Sequence, residues 1–380
     1  MSQSMTRWLE QQAAVRERRG LVRTPSTRGA DERAIDLASN DYLGLAQDPR
    51  LAEAASAAAH QWGTGSASSR LVAGTTELHV ELERELAALI GIEAGLVFSS
   101  GYLANLGITT ALGGPGTLIV ADEHCHASLI DGFRLSRSAV ETFAHNDVAE
   151  ADRLLRRRSQ PRALIAVESI YSVGGDSAPL GELLVLAEEH DAVLLVDEAH
   201  SVGVAGTGTQ LGYGSVAGTA LAGHPGVVIT ATLSKALGSQ GGAVLGSALL
   251  REHLVNRARS FIFDTALAPP AAAAALAAVG IIRQEPWRAQ AVHHHAARLA
   301  EHLNLDPSAG AVQSLRMSSP ETAVAASRAA AAAGLRIGCF RPPSVPDGIS
   351  RLRLTARADL TDADLDHACA VLRDILERTP

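Results

Sequence analysis

Ala192-Val-Leu-Leu-Val-Asp-Glu-Ala-His200 is an apolar run that stops on a carboxylate and, three residues later, a histidine. A short Val/Leu run with polar ends reads as a strand buried on both faces. It is one of a series. Apolar segments at 94–98, 117–121, 139–143, 163–168, 192–197, 226–231 and 242–246 are separated by helix-like runs at 101–112, 126–136, 147–158 and 180–190. This alternation predicts an α/β fold with a large, mainly parallel seven-stranded sheet. Ligands of such sheets bind beyond the carboxyl ends of the strands. Chemically capable residues follow strand after strand there: Ser99 to Asn105, Asp122 to Ser128, Glu168 to Asp176, Asp197 to Ser201, and Thr232 to Lys235.

Working outward, residues 5–23 read as a helix, 24–34 as a loop by composition, and 35–45 as a short strand entering a polar turn. Helices are expected at 49–61 and 76–90, around a small-residue loop at 63–75. Beyond 247 the character changes to long Ala-rich helices over 268–305. Strands at 311–317, 335–339 and 349–355 and helices at 320–333 and 361–378 follow, predicting a smaller C-terminal α/β domain with an antiparallel sheet. The expected division is an N-terminal helix and arm (1–35), a large domain (36–284) and a small domain (285–380).

With 380 residues, 47% of them apolar, and a net charge of −8, the chain reads as a globular protein with a large core. No basic footprint for nucleic acid is present; Arg156-Arg157-Arg158 reads as a solvated helix end, where cations suit the dipole. No apolar run reaches membrane-spanning length, and the polar N-terminus does not read as a signal peptide. Three scattered cysteines, Cys125, Cys339 and Cys369, fit a reducing compartment, so the expected location is cytoplasmic.

Lys235 is the only lysine among 33 Lys and Arg residues. Arginine stays protonated and cannot act as an amine nucleophile, whereas a desolvated lysine can form a Schiff base. Its setting, a Ser/Gly-rich loop after an apolar strand, suggests amine chemistry; the alternative is a chance survivor on the surface. Asp197, at the end of an apolar strand, needs a cationic or hydrogen-bonded partner. Alone, Asp197 and His200 would read as structural or as metal ligands; beside a Schiff-base lysine they read as cofactor contacts. Ser100-Gly-Tyr102 opens a helix after a strand, an arrangement suited to a phosphate, and the Thr232 and Ser234 hydroxyls can serve the same anion. His124, Cys125 and His126 match no tetrahedral metal spacing, so no metal is expected; one histidine is expected to face a planar ring, the other solvent. The run 293–295 reads as a solvated helix face, and 203–208 lacks the strand–loop–helix frame of a nucleotide loop. Together these residues form a constellation for pyridoxal 5′-phosphate (PLP).

From about residue 35 to 378 the chain resembles the α-oxoamine synthases, fold-type I PLP-dependent enzymes with the aspartate aminotransferase-like architecture. The carriers are Leu37-Ala-Ser-Asn-Asp-Tyr-Leu-Gly-Leu45, Ser100-Gly-Tyr-Leu-Ala-Asn105, His126-Ala-Ser-Leu129, Gly175-Asp-Ser-Ala-Pro-Leu180, Val196-Asp-Glu-Ala-His200, Thr232-Leu-Ser-Lys235 and Arg351-Leu-Arg-Leu-Thr355. Ala144-His-Asn-Asp-Val148 and Arg341-Pro-Pro-Ser-Val-Pro346 point to the branch that makes a biotin precursor. The resemblance implies a decarboxylating condensation of L-alanine with a pimeloyl thioester, carried on CoA or a carrier protein. It implies Lys235 as Schiff-base lysine, Asp197 on the pyridine nitrogen, His200 on the ring 3′-oxygen and His126 stacked on the ring. Gly101, Tyr102, Ser172, Thr232 and Glu168 would help hold the cofactor. Arg353, with Arg351 as the alternate, would bind the amino-acid carboxylate, and Arg23, Asn40, His126 and Ser344 would touch substrate. The loop at 63–74 would reach a neighbouring subunit's site in a homodimer. Departures are Lys235-Ala-Leu-Gly238 for Lys-Gly-Phe-Gly, Tyr102 for a common Phe, and Ser344 for a common Thr. Competing expectations are glycine C-acetyltransferase or another α-oxoamine synthase, a non-catalytic PLP-fold subunit, and an NAD-type oxidoreductase, which lacks its glycine fingerprint here.

Overall fold

The strands of the series form where Val, Ile and Leu runs can be covered on both faces, save the edge strand at 139–143, which is exposed but for Phe143. The computed structural model describes residues 1–378 apart from Ser26, Pro343 and Pro346, so two prolines of the 341–346 motif lie outside the described residues. In chain order the strands are β1 (Ile35–Leu37), β2 (Ala94–Phe98), β3 (Thr117–Asp122), β4 (Ala139–Phe143), β5 (Arg162–Glu168), β6 (Ala192–Asp197), β7 (Val227–Thr232), β8 (Gly242–Gly246), β9 (Val312–Arg316), β10 (Leu335–Phe340) and β11 (Arg351–Thr355). The chain divides into two units.

The large unit holds Ser39–Gln313 and Thr355–Thr361. Its seven-stranded sheet has the order β2-β8-β7-β6-β5-β3-β4. Only β8 runs against its neighbours β2 and β7; the remaining pairs are parallel. The register pairs Glu168 with Asp197 and Asp197 with Thr230, so three polar residues line up across adjacent strand ends. The helices Gly101–Leu112 and Ala127–Ser136 cover this region, closing a core that includes Leu96, Phe98, Ile108, Ile119, Leu129, Phe133 and Leu195. Each such side chain contributes about 2 kcal/mol by leaving water. The Phe98 and Phe261 rings meet edge-on, 5.7 Å between centroids.

The small unit holds Met1–Ala38, Ser314–Leu354 and Asp362–Pro380. The division therefore falls between Gln313 and Ser314, not at 285. The reason lies in packing: Pro269–Gln284 lies against Pro49–Trp62 and Glu77–Ile90, and Glu285 itself accepts from Arg50 at 2.5 Å and Arg288 at 2.7 Å, with Arg288 also 3.2 Å from Asp48. A shift to alanine-rich composition marked helices of the same unit rather than a new one. The small sheet, ordered β1-β10-β11-β9, is mixed rather than antiparallel, because Ile35–Leu37 joins β10 in parallel while β10 and β11 are antiparallel. The N-terminal helix is Gln3–Arg18, shorter than the expected 5–23. Gly20 ends it in a left-handed conformation (φ +61°), with the Gly20 and Leu21 amides closing back on Glu17 and Arg16.

Candidate functional site

Lys235 follows β7 in a tight turn closed by the Gly238 amide on the Lys235 carbonyl, 2.9 Å. Its Nζ lies 2.7 Å from His200 Nε2. His200 Nδ1 lies 2.6 Å from the hydroxyl of Tyr42, which donates to Asn40 Oδ1 at 3.3 Å. One proton arrangement satisfies the row: Lys235 donates to Nε2, Nδ1–H donates to Tyr42, and Tyr42 donates to Asn40. Tyr42 is wholly buried and His200 nearly so, so the row is a fixed wall of the site rather than a surface contact.

Asp197 ends β6 with both carboxylate oxygens held. Oδ1 accepts from the Ala199 amide at 2.9 Å and Oδ2 from Asn105 Nδ2 at 2.7 Å. Glu168, its neighbour across the sheet, is buried; Oε2 accepts from the Ser172 amide at 3.1 Å, while Oε1 has no partner among the described residues. Burial, then the charge of Asp197, pushes Glu168 up to about 8 against the pull of Lys235, so this carboxyl is protonated at neutral pH. His126 caps the helix Ala127–Ser136, and its ring opens onto the same cavity. Desolvation by the surrounding wall holds its pKa below the ordinary value, against the pull of Asp197.

The opposite wall is an anion cup. Ser100 caps the helix Gly101–Leu112 by accepting from the Leu103 amide at 3.1 Å. The helix start thereby presents its first amides beside the Thr232 and Ser234 hydroxyls, themselves 2.8 Å apart. Close approach demands glycine: a Cβ on Gly101 would meet Thr232 at 3.0 Å, and one on Gly242 would lie 2.5 Å from the Gly101 backbone. The cavity, about 250 Å³, is lined by Gly101, His126, Asp197, His200, Thr232 and Lys235 among others.

The description "Aminotransferase class I and II" fits residues 32–372. The 8-amino-7-oxononanoate synthase of Mycobacterium sp. (strain KMS) is 52% identical over 370 residues, 97% of this chain and 96% of that one. The chain belongs to the 8-amino-7-oxononanoate synthase family. A second member, from Mycolicibacterium gilvum (strain PYR-GCK), is 50% identical over 98% of this chain and 97% of its own. In structure the chain is similar to a serine palmitoyltransferase variant from S. paucimobilis with a bound PLP–myriocin aldimine: TM-score 0.89, 27% identity, 99% of this chain and 98% of that one.

The cavity of this 8-amino-7-oxononanoate synthase family member fits PLP on its own chemistry. It offers one amine, a carboxylate anchored on both oxygens, a histidine in its lining, an acid oxygen without a partner among the described residues and a helix-end anion cup. Of the residues expected at the site, Lys235, His126, Asp197, His200, Gly101, Tyr102, Thr232 and Glu168 line it together. Asn40 reaches it through Tyr42, and Ser172 through Glu168. The Tyr102 hydroxyl is bound to Asp131. Arg23, Ser344 and Arg353 belong to the small unit, where Arg23 donates to Ser344 and the Arg353 guanidinium lies 5.4 Å from the Phe340 ring centre. Arg351 is held by Asp347.

Three residues were not singled out from sequence: Tyr42, Asn105 and Ser128. Each lies inside a motif of the family resemblance, but only folding shows which groups they face. A further cluster lies in the same unit. His145 bridges Asp122 (3.0 Å) and Asp176 (2.6 Å), with the His124 ring stacked on it at 3.9 Å. Among the described residues, Asp122, His124 and His145 bring ligand atoms within 4.8 Å. Both nitrogens of His145, however, are already bound to carboxylates. Burial lowers the His145 pKa, but the two carboxylates outweigh it and push it up to about 9, so the ring is a cation rather than a metal ligand at neutral pH. His124 is therefore half-buried against His145 rather than facing solvent. No described helix is long and apolar enough to cross a membrane.

Proposed function

We propose that this chain condenses L-alanine with a pimeloyl thioester, releasing 8-amino-7-oxononanoate, CO2 and the free thiol of CoA or a carrier protein. The observation that carries the reading is the sole lysine of the chain, within hydrogen-bond reach of His200 in a cavity whose floor is Asp197. Bound PLP supplies an electron sink for negative charge developing at the alanine Cα. Lys235 Nζ would hold the cofactor and, when unlinked from it, would be the base that takes the Cα proton. The Asp197 carboxylate would face the ring nitrogen and favour its protonated form, His126 would cover the ring, and His200 would meet the ring oxygen. Gly101, Tyr102 and Thr232 would hold the phosphate, with Ser172 and Glu168 supporting the opposite wall beside Asp197. Arg353 takes the alanine carboxylate, and Arg23, Asn40 and Ser344 position the acyl substrate. A bond forms between Cα and the thioester carbonyl carbon as the C–S bond breaks. The original carboxylate then leaves as CO2, and Lys235 returns a proton to Cα.

The working form is proposed as a homodimer in which the loop at 63–74 meets the second subunit. Leu71, Val72 and Phe263 support this: they are exposed apolar side chains on segments joined by the Ser69–Thr265 bridge. Turnover of alanine against glycine, each with pimeloyl-CoA and acetyl-CoA, tests the reaction. Preference for alanine and the pimeloyl donor is expected; preference for glycine and acetyl-CoA would assign the sister acetyltransferase activity instead. Sedimentation of the wild type and of Val72→Glu tests the dimer, which the charge should split.

A further inference from the structure

Asn105 spends both hydrogens of its amide on groups of the cavity wall. Nδ2 lies 2.7 Å from Asp197 Oδ2 and 2.9 Å from Ser128 Oγ. Ser128 Oγ lies 2.7 Å from His126 Nδ1, and the Ser128 amide 3.3 Å from the same nitrogen. Asn105 and Ser128 are 4% and 1% exposed, so water does not compete for these bonds. The opposite amide orientation would set Oδ1 against the Asp197 carboxylate, acceptor against acceptor, so the donors face as described. Ser128 Oγ accepts from Asn105 and turns its own proton toward His126. A backbone N–H can only donate, so Nδ1 is an acceptor and the neutral ring carries its proton on Nε2.

We propose that Asn105 is a positioning residue for the condensation of alanine with the acyl thioester. Through one bond it fixes the plane of the Asp197 carboxylate; by donating to Ser128 Oγ it directs the hydroxyl proton onto His126 Nδ1, a second donor beside the Ser128 amide that holds the ring in place. The two groups set on the cofactor, one at its ring nitrogen and one over its face, are then oriented by a single buried amide. Ala199 holds the other oxygen of Asp197, so losing Asn105 leaves the carboxylate in place but free to turn. The inference rests on the proposed function only for the meaning of the orientation, since the bonds themselves stand without it.

The test uses Asn105→Leu and Ser128→Ala in the full chain. Asn105→Leu should raise the PLP dissociation constant about tenfold, the effect of one lost buried bond to a charged group. It should lower kcat more than it alters the KM for alanine. Ser128→Ala should leave PLP affinity within about twofold. In nitrogen–proton correlation spectra it should shift the His126 Nδ1 resonance downfield, toward that of an unbonded ring nitrogen, because only the 3.3 Å bond from the backbone amide remains there. A merely structural role would lower thermal stability without moving that resonance. PLP affinity unchanged in Asn105→Leu, or an unshifted His126 Nδ1 resonance in Ser128→Ala, overturns the proposal; if Asn105→Leu does not fold, the Ser128→Ala spectrum decides it. Neither readout needs an acyl donor. A chain with these effects and no turnover of alanine with pimeloyl-CoA would sink the proposed reaction and leave this inference standing.

Discussion

Nζ of Lys235 lies 2.7 Å from Nε2 of His200, and no other side chain in the sequence carries an amine. Borohydride reduction of the PLP-loaded protein should therefore fix the cofactor on one peptide, the one containing Lys235. Lys235→Ala should lower condensation turnover by about four orders of magnitude, the scale of a lost acid–base group. Labelled peptide elsewhere, or near-normal turnover of the variant, would refute the assignment.

Tyr42 holds the far side of His200 at 2.6 Å. Tyr42→Phe keeps the buried ring and removes only the hydroxyl. One neutral hydrogen bond is worth about 1 kcal/mol, so kcat/KM should fall about fivefold with little change in melting temperature. A loss confined to stability would mean that the hydroxyl serves packing alone.

His145, poised between Asp122 and Asp176, makes stability depend on pH. Its folded pKa, about 9, lies above the ordinary histidine value. Its stabilising contribution is therefore fully present below pH 6.5 or so and is lost as pH rises through about 9. Asp122 and Asp176 act at the other end. Burial raises both, but their bonds to His145 outweigh it and hold them below the usual carboxylate range, so their contribution is lost only as acid protonates them. Glu168 also titrates near 8, so the useful quantity is the difference between wild type and His145→Gln. That difference should shrink by about 1–2 kcal/mol between pH 6.5 and 9.5, as read from denaturant midpoints. A constant difference would place the proton elsewhere.

Gly242 faces the start of the anion cup, where an added methyl would lie 2.5 Å from the Gly101 backbone. Gly242→Ala should destabilise the protein by about 2–3 kcal/mol and weaken PLP binding by displacing the first turn of the helix Gly101–Leu112. Unchanged melting and PLP titration curves would show that the strand shifts without cost.

Much of the architecture was legible because it is local. Each strand of the large sheet except the exposed edge strand β4 is a short apolar run between polar stops, and such a run has few other places to go in a chain this size. The chemistry at the strand ends was legible for a similar reason: an amine, a carboxylate and an imidazole keep their reactivity wherever they stand. The unit boundary was not, since alanine-rich helices look alike on either side of an interface; Glu285 joined the large unit through Arg50 and Arg288.

By itself, then, the sequence determined the strand series, the one possible Schiff-base amine at Lys235, and the acid and imidazole that close β6. Tertiary structure alone decided who faces whom. It set Asn105 between Asp197 and Ser128, Tyr42 behind His200, His145 between two carboxylates, and Ile35 beside Leu335. These pairings join residues far apart in the chain. Their partners are chosen by which buried polar groups must satisfy one another once the sheet has closed, a condition that no local pattern of residues encodes.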